Sequence, residues 1–325
     1  MSDFAGPSTA TGGVISETPP AWRQRLRVAW ANFWREFMFW WTEYAPEAVL
    51  WTRPFFLWFA WRFAATLRTG TLPNARRLLG PGAHNADHVA LAKATVHNCY
   101  LSVYELGRTL RLTRKEMRDC VDAIEGQDTY LAARRAGKGA VVVTAHLGSF
   151  ELGAAALLDR EARLHVVFRR DAFPRFERLR SRLRARLGVV EAPVDDGWST
   201  WVRLRDALRA NEVVMIQGDR VMPGQKGVPV PFFDGHLLMP TGPLKLALAT
   251  GAPLIPIFSI RTGVGRVRVI IEEPILVSRD DGPPTGRHPA MRKLAKVIEK
   301  HVRAHPEQWL IVEPAWCEDR AASRP

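Results

Sequence analysis

Three observations predict an α/β fold. Short apolar or β-branched runs recur from residue 141 onward, at Val141–Val143, Leu164–Phe168, Glu212–Gln217, Leu254–Ile260 and Arg266–Glu272. Stretches with helical spacing fill the intervals between them, and Gly or Pro marks many of the boundaries. Strands alternating with helices build a sheet covered by helices. The expectation is a central, mostly parallel or mixed sheet with helices on both faces and a site at the strand ends. Membrane-associated helices precede it.

Residues 1–20 are rich in Ser, Thr, Gly and Pro and lack a basic start followed by an apolar run. They read as a disordered tail, not a signal peptide. Ala21–Leu67 holds eight of the 12 tryptophans, interspersed with Arg23, Arg25, Arg27, Arg35, Arg53 and Arg62. Trp rings and snorkelling arginines both suit a headgroup layer. The most apolar window, Val49–Leu67, contains Arg53, Pro54 and Arg62, which are costly at a bilayer centre. Helices lying in the interface fit better than a span, and an aromatic layer packed on the folded domain is the other reading. Leu72–Gly80 and His88–Leu106 read as packing helices, the second with an apolar stripe through Val89, Ala92, Val96, Cys99, Val103 and Leu106. The expected division is a tail at 1–20, membrane-associated helices at 21–70, a catalytic domain at 71–317 and a tail at 318–325.

Ala140–Leu158 (AVVVTAHLGSFELGAAALL) organises the rest. A buried strand ends near His146, Gly148 turns the chain, and Ser149 is placed to N-cap a helix over Glu151–Asp159. A carboxylate reaching one imidazole nitrogen fixes the tautomer and stabilises the imidazolium, leaving the other nitrogen to take a proton. His146 and Glu151 are the pair at hand. With 9 histidines and about one residue in ten acidic, this spacing arises about once by chance, and it occurs once. The strand before it and the small-residue helix after it single it out. A buried histidine at a strand end is the plain alternative.

After the strand at Leu164–Phe168 come Arg169 and Arg170, then FPRFERLRSRLRARLG. Phe176, Leu179, Leu183 and Leu187 form a helical stripe with Arg175, Arg178, Arg180, Arg182, Arg184 and Arg186 around it. Only Glu177 offsets them locally. Such a helix suits an acidic protein, lipid headgroups or nucleic acid. Val194–Thr200 reads as a loop and is followed by a helix to Ala210. The strand Glu212–Gln217 ends in Gly218-Asp219-Arg220, where Asp219 and Arg220 are either an ion pair or site residues. A Gly/Pro-rich loop spans Met222–Val230, and Phe232 and Phe233 read as core. Thr241 is placed to N-cap a helix that starts at Gly242-Pro243, whose free N–H groups suit an anion. A helix over Arg287–Ala304 closes the pattern.

A net charge of +13 points to an anionic partner. Three scattered cysteines give neither a disulfide framework nor a thiolate metal site. There is no G-x-G-x-x-G after a strand, no GK[ST] and no G-x-S-x-G, so neither a nucleotide cofactor nor a serine nucleophile is indicated. His84 and His88 have only Asp87 beside them, and no metal is expected.

HLGSFELGA resembles the H-x-x-x-x-[DE] block of the lysophospholipid acyltransferase superfamily, and most of all that of the lipid A biosynthesis (lauroyl/myristoyl) acyltransferases, which carry Glu. VVFRRDAFPRFE, the strand-end Asp219 with its following V-P-F-F segment, PTGPLKLALATGAPLIP, and His305–Trp309 (HPEQW) resemble further blocks of that family. Asn98 and Glu105 fall where its members often carry Asn and Glu. The resemblance implies a glycerolipid acyltransferase-like fold and transfer of a fatty acyl chain from acyl carrier protein to a lipid A precursor. It places the reaction at the cytoplasmic face of the bacterial inner membrane. His146 is then the general base, Glu151 orients it, and Arg169 with the Gly148–Ser149 N–H groups faces the oxyanion. Arg170, Arg175, Asp219, Arg220, Thr241 and Gly242 serve the substrates.

No cofactor is needed beyond acyl carrier protein or acyl-CoA as co-substrate. The partners are acyl carrier protein, a membrane lipid acceptor and the membrane surface, with no nucleic acid. One departure stands out. WLIVEPAWCEDR replaces the family's usual basic closing block, which opens the acceptor to a lysophospholipid, an ornithine lipid or another glycolipid. A non-catalytic basic membrane-surface protein is the alternative outside enzymes.

Overall fold

A computed structural model describes residues 36–171, 173–221 and 225–322. The expected tail at 1–20, tryptophans 22, 30 and 34, and part of the loop at 222–230 lie outside them. The described residues from 39 onward form one unit, which includes the helical layer at 46–79. After helical residues up to 44 come α1 (Pro46–Trp51), α2 (Arg53–Phe63), α3 (Ala65–Leu79) and α4 (Asn85–Thr109). Among the described residues no helix is long and apolar enough to cross a membrane.

Next follow α5 (Arg114–Asp119), β1 (Val121–Glu125), α6 (Gln127–Arg135), β2 (Ala140–Thr144), α7 (Phe150–Leu158), β3 (Leu164–Phe168), α8 (Pro174–Leu187), β4 (Val190–Pro193), α9 (Trp198–Arg209) and β5 (Val213–Gln217). The hairpin β6 (Gly227–Phe232) and β7 (Gly235–Pro240) leads to α10 (Gly242–Thr250), β8 (Leu254–Gly263), β9 (Arg266–Ile271), α11 (Pro289–Ala304) and α12 (Cys317–Ala322).

Seven strands form one sheet in the order β1-β9-β8-β2-β5-β3-β4. β8, β2, β5, β3 and β4 run parallel, whereas β9 is antiparallel to β8 and carries β1 parallel to itself. The expected mixed α/β sheet is therefore present. β2 is bonded on both edges, and all five of its residues are buried. That is why AVVVT reads as an uninterrupted apolar run and not an alternating one. The core continues through Leu204, Phe258, Leu294 and Trp309.

Two expectations change. The loop expected through Val230 gives way to strand at Gly227, and residues 227–240 pair as a hairpin. The expected tail at 318–325 begins as α12, pinned where Arg77 Nε donates to Asp319 Oδ2 at 2.8 Å.

Candidate functional site

Parallel pairing of β2 with β5 aligns Thr144 with Gln217. His146 and Asp219 each lie two residues past that aligned pair, so neighbouring strands deliver both to one sheet edge. Gly218 extends the ladder, its N–H donating to Thr144 O at 2.8 Å. A Cβ there would meet Val143 Cγ1 at 2.6 Å, so the close approach requires glycine. His146 Nδ1 and Asp219 Oδ1 are 2.8 Å apart. Asp219 Oδ2 also accepts from the His146 backbone N–H at 2.9 Å and from Trp309 Nε1 at 2.8 Å.

The carboxylate is fully buried, while the imidazole keeps about a quarter of its surface exposed. Burial works against ionisation of Asp219, yet the charge of His146 and the three hydrogen bonds outweigh it and hold the carboxyl below its ordinary value. Nε2 has no protein partner among the described residues. A carboxylate-oriented imidazole with one free nitrogen can serve as a general base.

The segment after His146 is stitched down on both sides. Leu310 N–H donates to His146 O at 2.7 Å, Gly148 N–H to Gln308 O at 3.0 Å and Ser149 N–H to Ser259 O at 3.0 Å. The Gly148 and Ser149 N–H groups, expected to face an oxyanion, are thus committed to protein carbonyls. Gly148 has φ +66°, and a Cβ on it would lie 1.9 Å from Ser259 O. Ser149 occupies the N-cap position of α7, but its hydroxyl caps nothing and is buried without a partner. Arg261 lies beneath this turn. It bonds Glu105 through Nε and Nη2 at 2.8 Å each, Asn98 Oδ1 at 2.6 Å and Gly148 O at 3.3 Å. Arg261 and Glu105 are both buried.

Glu151 is not the carboxylate on His146; Asp219 is. Glu151 faces a crevice lined by Phe150, Ala154, Val166, Phe168 and Leu183. Burial there pushes its carboxyl up, partly opposed by Arg180. A raised value in the folded state means that the fold binds more protons than the unfolded chain just above the ordinary carboxylate range. Its stability then falls as pH rises through that window. Glu151→Gln should therefore be the more stable protein at pH 7 and lose that advantage near pH 4, as read by urea denaturation at both pH values.

The other expected site residues are largely paired. Arg169 Nε lies 3.5 Å from Asp195 Oδ1, and Arg170 Nη1 lies 2.7 Å from Asp196 Oδ1. Both follow β3, two strand spacings (roughly 10 Å) from β2. Arg175 and Arg182 meet Glu43, Arg184 is buried between Glu177 and Glu191, and Arg180 reaches Asp171 at 4.0 Å. Much of the charge of α8 is therefore neutralised by acids from elsewhere in the chain. Asp219 and Arg220 are not partners, since Arg220 Nη2 binds Glu313 at 2.9 Å. Thr241 precedes α10 in helical conformation and does not cap it through its side chain. Gly242 packs against the Trp201 ring near Ile216.

Residues 22–318 match the family of bacterial lipid A biosynthesis acyltransferases. The chain belongs to this family. It is also similar to phosphatidylinositol mannoside acyltransferase of Mycobacterium tuberculosis (strain ATCC 25618 / H37Rv), with 31% identity over 216 residues, 65% of each chain. The namesake from Mycolicibacterium smegmatis is 27% identical over 198 residues, 61% of this chain and 63% of that one. The chain thus covers somewhat under two thirds of the length of these relatives.

Within this lipid A acyltransferase family member, the departing C-terminal block is structural. Trp309 and Trp316 are buried against Phe232, and Trp316 Nε1 donates to Phe232 O at 3.1 Å. The sequence reading missed Trp309, Arg261 and Gln308 as parts of the site. The signal for Arg261 was an arginine inside the apolar run LIPIFSIRTG, a position that demands a buried partner. Among the described residues no group of three His, Cys, Asp or Glu is arranged to hold a metal ion.

Proposed function

We propose that this chain is a membrane-surface O-acyltransferase that moves a fatty acyl group from a thioester to a sugar hydroxyl of a phosphoglycolipid. The observation that carries the reading is the His146–Asp219 pair, with Nε2 free at the edge of the sheet. His146 Nε2 takes the hydroxyl proton as the oxygen attacks the thioester carbonyl. The resulting imidazolium is stabilised by Asp219 through Nδ1–H. The tetrahedral oxyanion collapses with loss of the thiolate, which recovers the proton from His146. The products are an ester and a free thiol, with no covalent enzyme intermediate.

Fixed donors are needed for the oxyanion. Because the Gly148 and Ser149 N–H groups are committed elsewhere, the first-turn amides of α7 are the better candidates. The names of the relatives favour a mannosylated phosphoinositide acceptor over a lipid A precursor. Acyl carrier protein remains the proposed donor carrier, at the cytoplasmic face of a bacterial inner membrane.

Membrane docking is supported by α2. Eight of its 11 residues, RPFFLWFAWRF, are Phe, Leu, Trp or Ala, yet none is buried. Phe55, Trp58 and Phe63 are 62%, 61% and 57% exposed. An apolar helix left uncovered marks an interaction surface, and its Trp and Arg content suits a headgroup layer.

Acyl transfer in mixed micelles tests the reading. The donors are labelled acyl carrier protein and acyl-CoA; the acceptors are a phosphatidylinositol mannoside, a lipid A precursor, a lysophospholipid and an ornithine lipid. Transfer to one acceptor, falling by about 10³-fold or more in His146→Ala, is the expected result. Equal inertness of wild type and variant with every donor and acceptor would overturn it.

A further inference from the structure

Residues 48–86 contain five arginines and no Asp or Glu. Arg62 and Arg68 of this stretch and Lys93 of α4 converge on a groove of about 770 Å³, whose lining includes Trp58, Trp61 and His97. Their contacts are not with carboxylates. The Arg62 guanidinium lies 5.2 Å from the Phe63 ring centroid, and Lys93 Nζ lies 5.5 Å from that of Trp61. Arg68 Nη1 donates to the Trp61 backbone carbonyl. Among the described residues none of the three forms an ion pair, in contrast to Arg175, Arg182 and Arg184 of α8.

His97 Nε2 is buried in the groove wall without a partner. Burial, then the charges of Arg53 and Arg261, hold that imidazole below its ordinary value. Three cations gathered in one concavity repel each other unless an anion joins them.

We infer that this groove binds the phosphate of an anionic phospholipid headgroup. Arg62, Arg68 and Lys93 supply the charge. Arginine grips phosphate through paired N–H groups, and lysine adds a point charge. A lipid is favoured over a soluble phosphate because the groove borders the uncovered face of α2. Phe55, Trp58, Phe59 and Phe63 there are 40–62% exposed, and amphipathic rings at that level belong among headgroups. Nothing in the catalytic pair contributes to the groove. The inference therefore rests on the membrane-surface half of the proposed function and not on acyl transfer.

The test is co-sedimentation of the full chain with vesicles of phosphatidylcholine alone, or of phosphatidylcholine containing phosphatidylglycerol, at physiological salt. Arg62→Ala/Arg68→Ala/Lys93→Ala is compared with Arg287→Ala/Arg292→Ala/Lys296→Ala, which removes the same charge from exposed positions elsewhere. Phosphatidylglycerol is expected to raise wild-type partitioning about tenfold or more. The groove variant loses that gain and the control keeps it, while the charge-conserving Arg62→Lys/Arg68→Lys/Lys93→Arg keeps the part due to charge and loses the part due to the paired N–H groups. Circular dichroism and thermal melts confirm that each variant is folded.

Equal losses in the groove and control variants would reduce the effect to bulk charge and overturn the site. Block of vesicle binding by millimolar glycerol phosphate would overturn the lipid assignment, as would an oligonucleotide binding as tightly as the vesicles. Equal binding to both vesicle types removes the headgroup site alone. Binding to neither also removes the membrane-surface reading, while the transfer assay stands apart from both.

Discussion

Asp219→Asn should lower kcat for acyl transfer by about 10³- to 10⁴-fold, with KM for the acyl donor changed by no more than a few-fold. An amide of the same shape keeps the packing against Trp309 but removes the charge that stabilises the imidazolium. It can also present N–H to Nδ1 and so favour the wrong tautomer. Loss of the buried carboxylate in a serine-protease triad has an effect of this size. Single-turnover transfer isolates the chemical step. A variant within tenfold of wild type would remove Asp219 from the mechanism.

Glu151→Gln is the internal comparison, because Glu151 does not touch the imidazole and should cost far less kcat. Stability supplies a second reading of the same residue. The Asp219 carboxyl is held below its ordinary value by His146 and Trp309. A depressed carboxylate stabilises the fold above the unfolded-state value of about 3.9, and that contribution is lost as pH falls through the folded-state value. The stability gap between wild type and Asp219→Asn should accordingly shrink below about pH 4.

Arg261→Leu should destabilise the fold by about 3–5 kcal/mol, measured by urea denaturation. The substitution leaves Glu105 buried with no counter-charge and removes the donors that hold Asn98 Oδ1 and Gly148 O. Combining it with Glu105→Leu should restore a large part of the loss, because two apolar groups of similar size leave no isolated charge. A double variant no more stable than the single one would show that the pair's worth lies elsewhere in the network. Transfer activity in the folded double variant should still fall, since the turn carrying His146 into α7 has lost its anchor to α4.

Most strands legible in the sequence were those covered on both faces; β9 was legible instead as an alternating strand with every second residue buried. β2, β3, β5 and β8 are apolar runs because neighbouring layers bury them. β1 was not legible, since VDAIE leaves three of its five residues exposed and only two half-buried. β4 is four residues long, lies at a sheet edge and ends in proline. β6 carries Pro229 and Pro231, which speak against a strand unless it belongs to a small edge pairing such as this two-stranded one. Its turn uses Phe233 and Asp234, with Phe233 at φ +51°, and no Asn-Gly signal marks it.

The site followed the same logic. His146 was legible from its strand, turn and helix, whereas its partner was not. Asp219 lies 73 residues away, and only the adjacency of β2 and β5 brings it near. The spacing rule pointed to Glu151 because a single sequence shows near neighbours along the chain but not across the sheet. In the same way, the arginines of α8 looked unopposed because Glu43 and Glu191 come from other elements.

Trp309 completes the carboxylate's hydrogen bonds, and Gln308 holds the turn that follows the histidine. Both are synthesised after the uncovered aromatics of α2. At about 5–20 residues per second, the 246 residues between Phe63 and Trp309 take roughly 10–50 s to synthesise. On the proposed membrane-surface reading, a growing chain therefore meets the bilayer while the site is still short of its last hydrogen-bond donor. That reading gives the protein time to find its surface before it becomes able to act there.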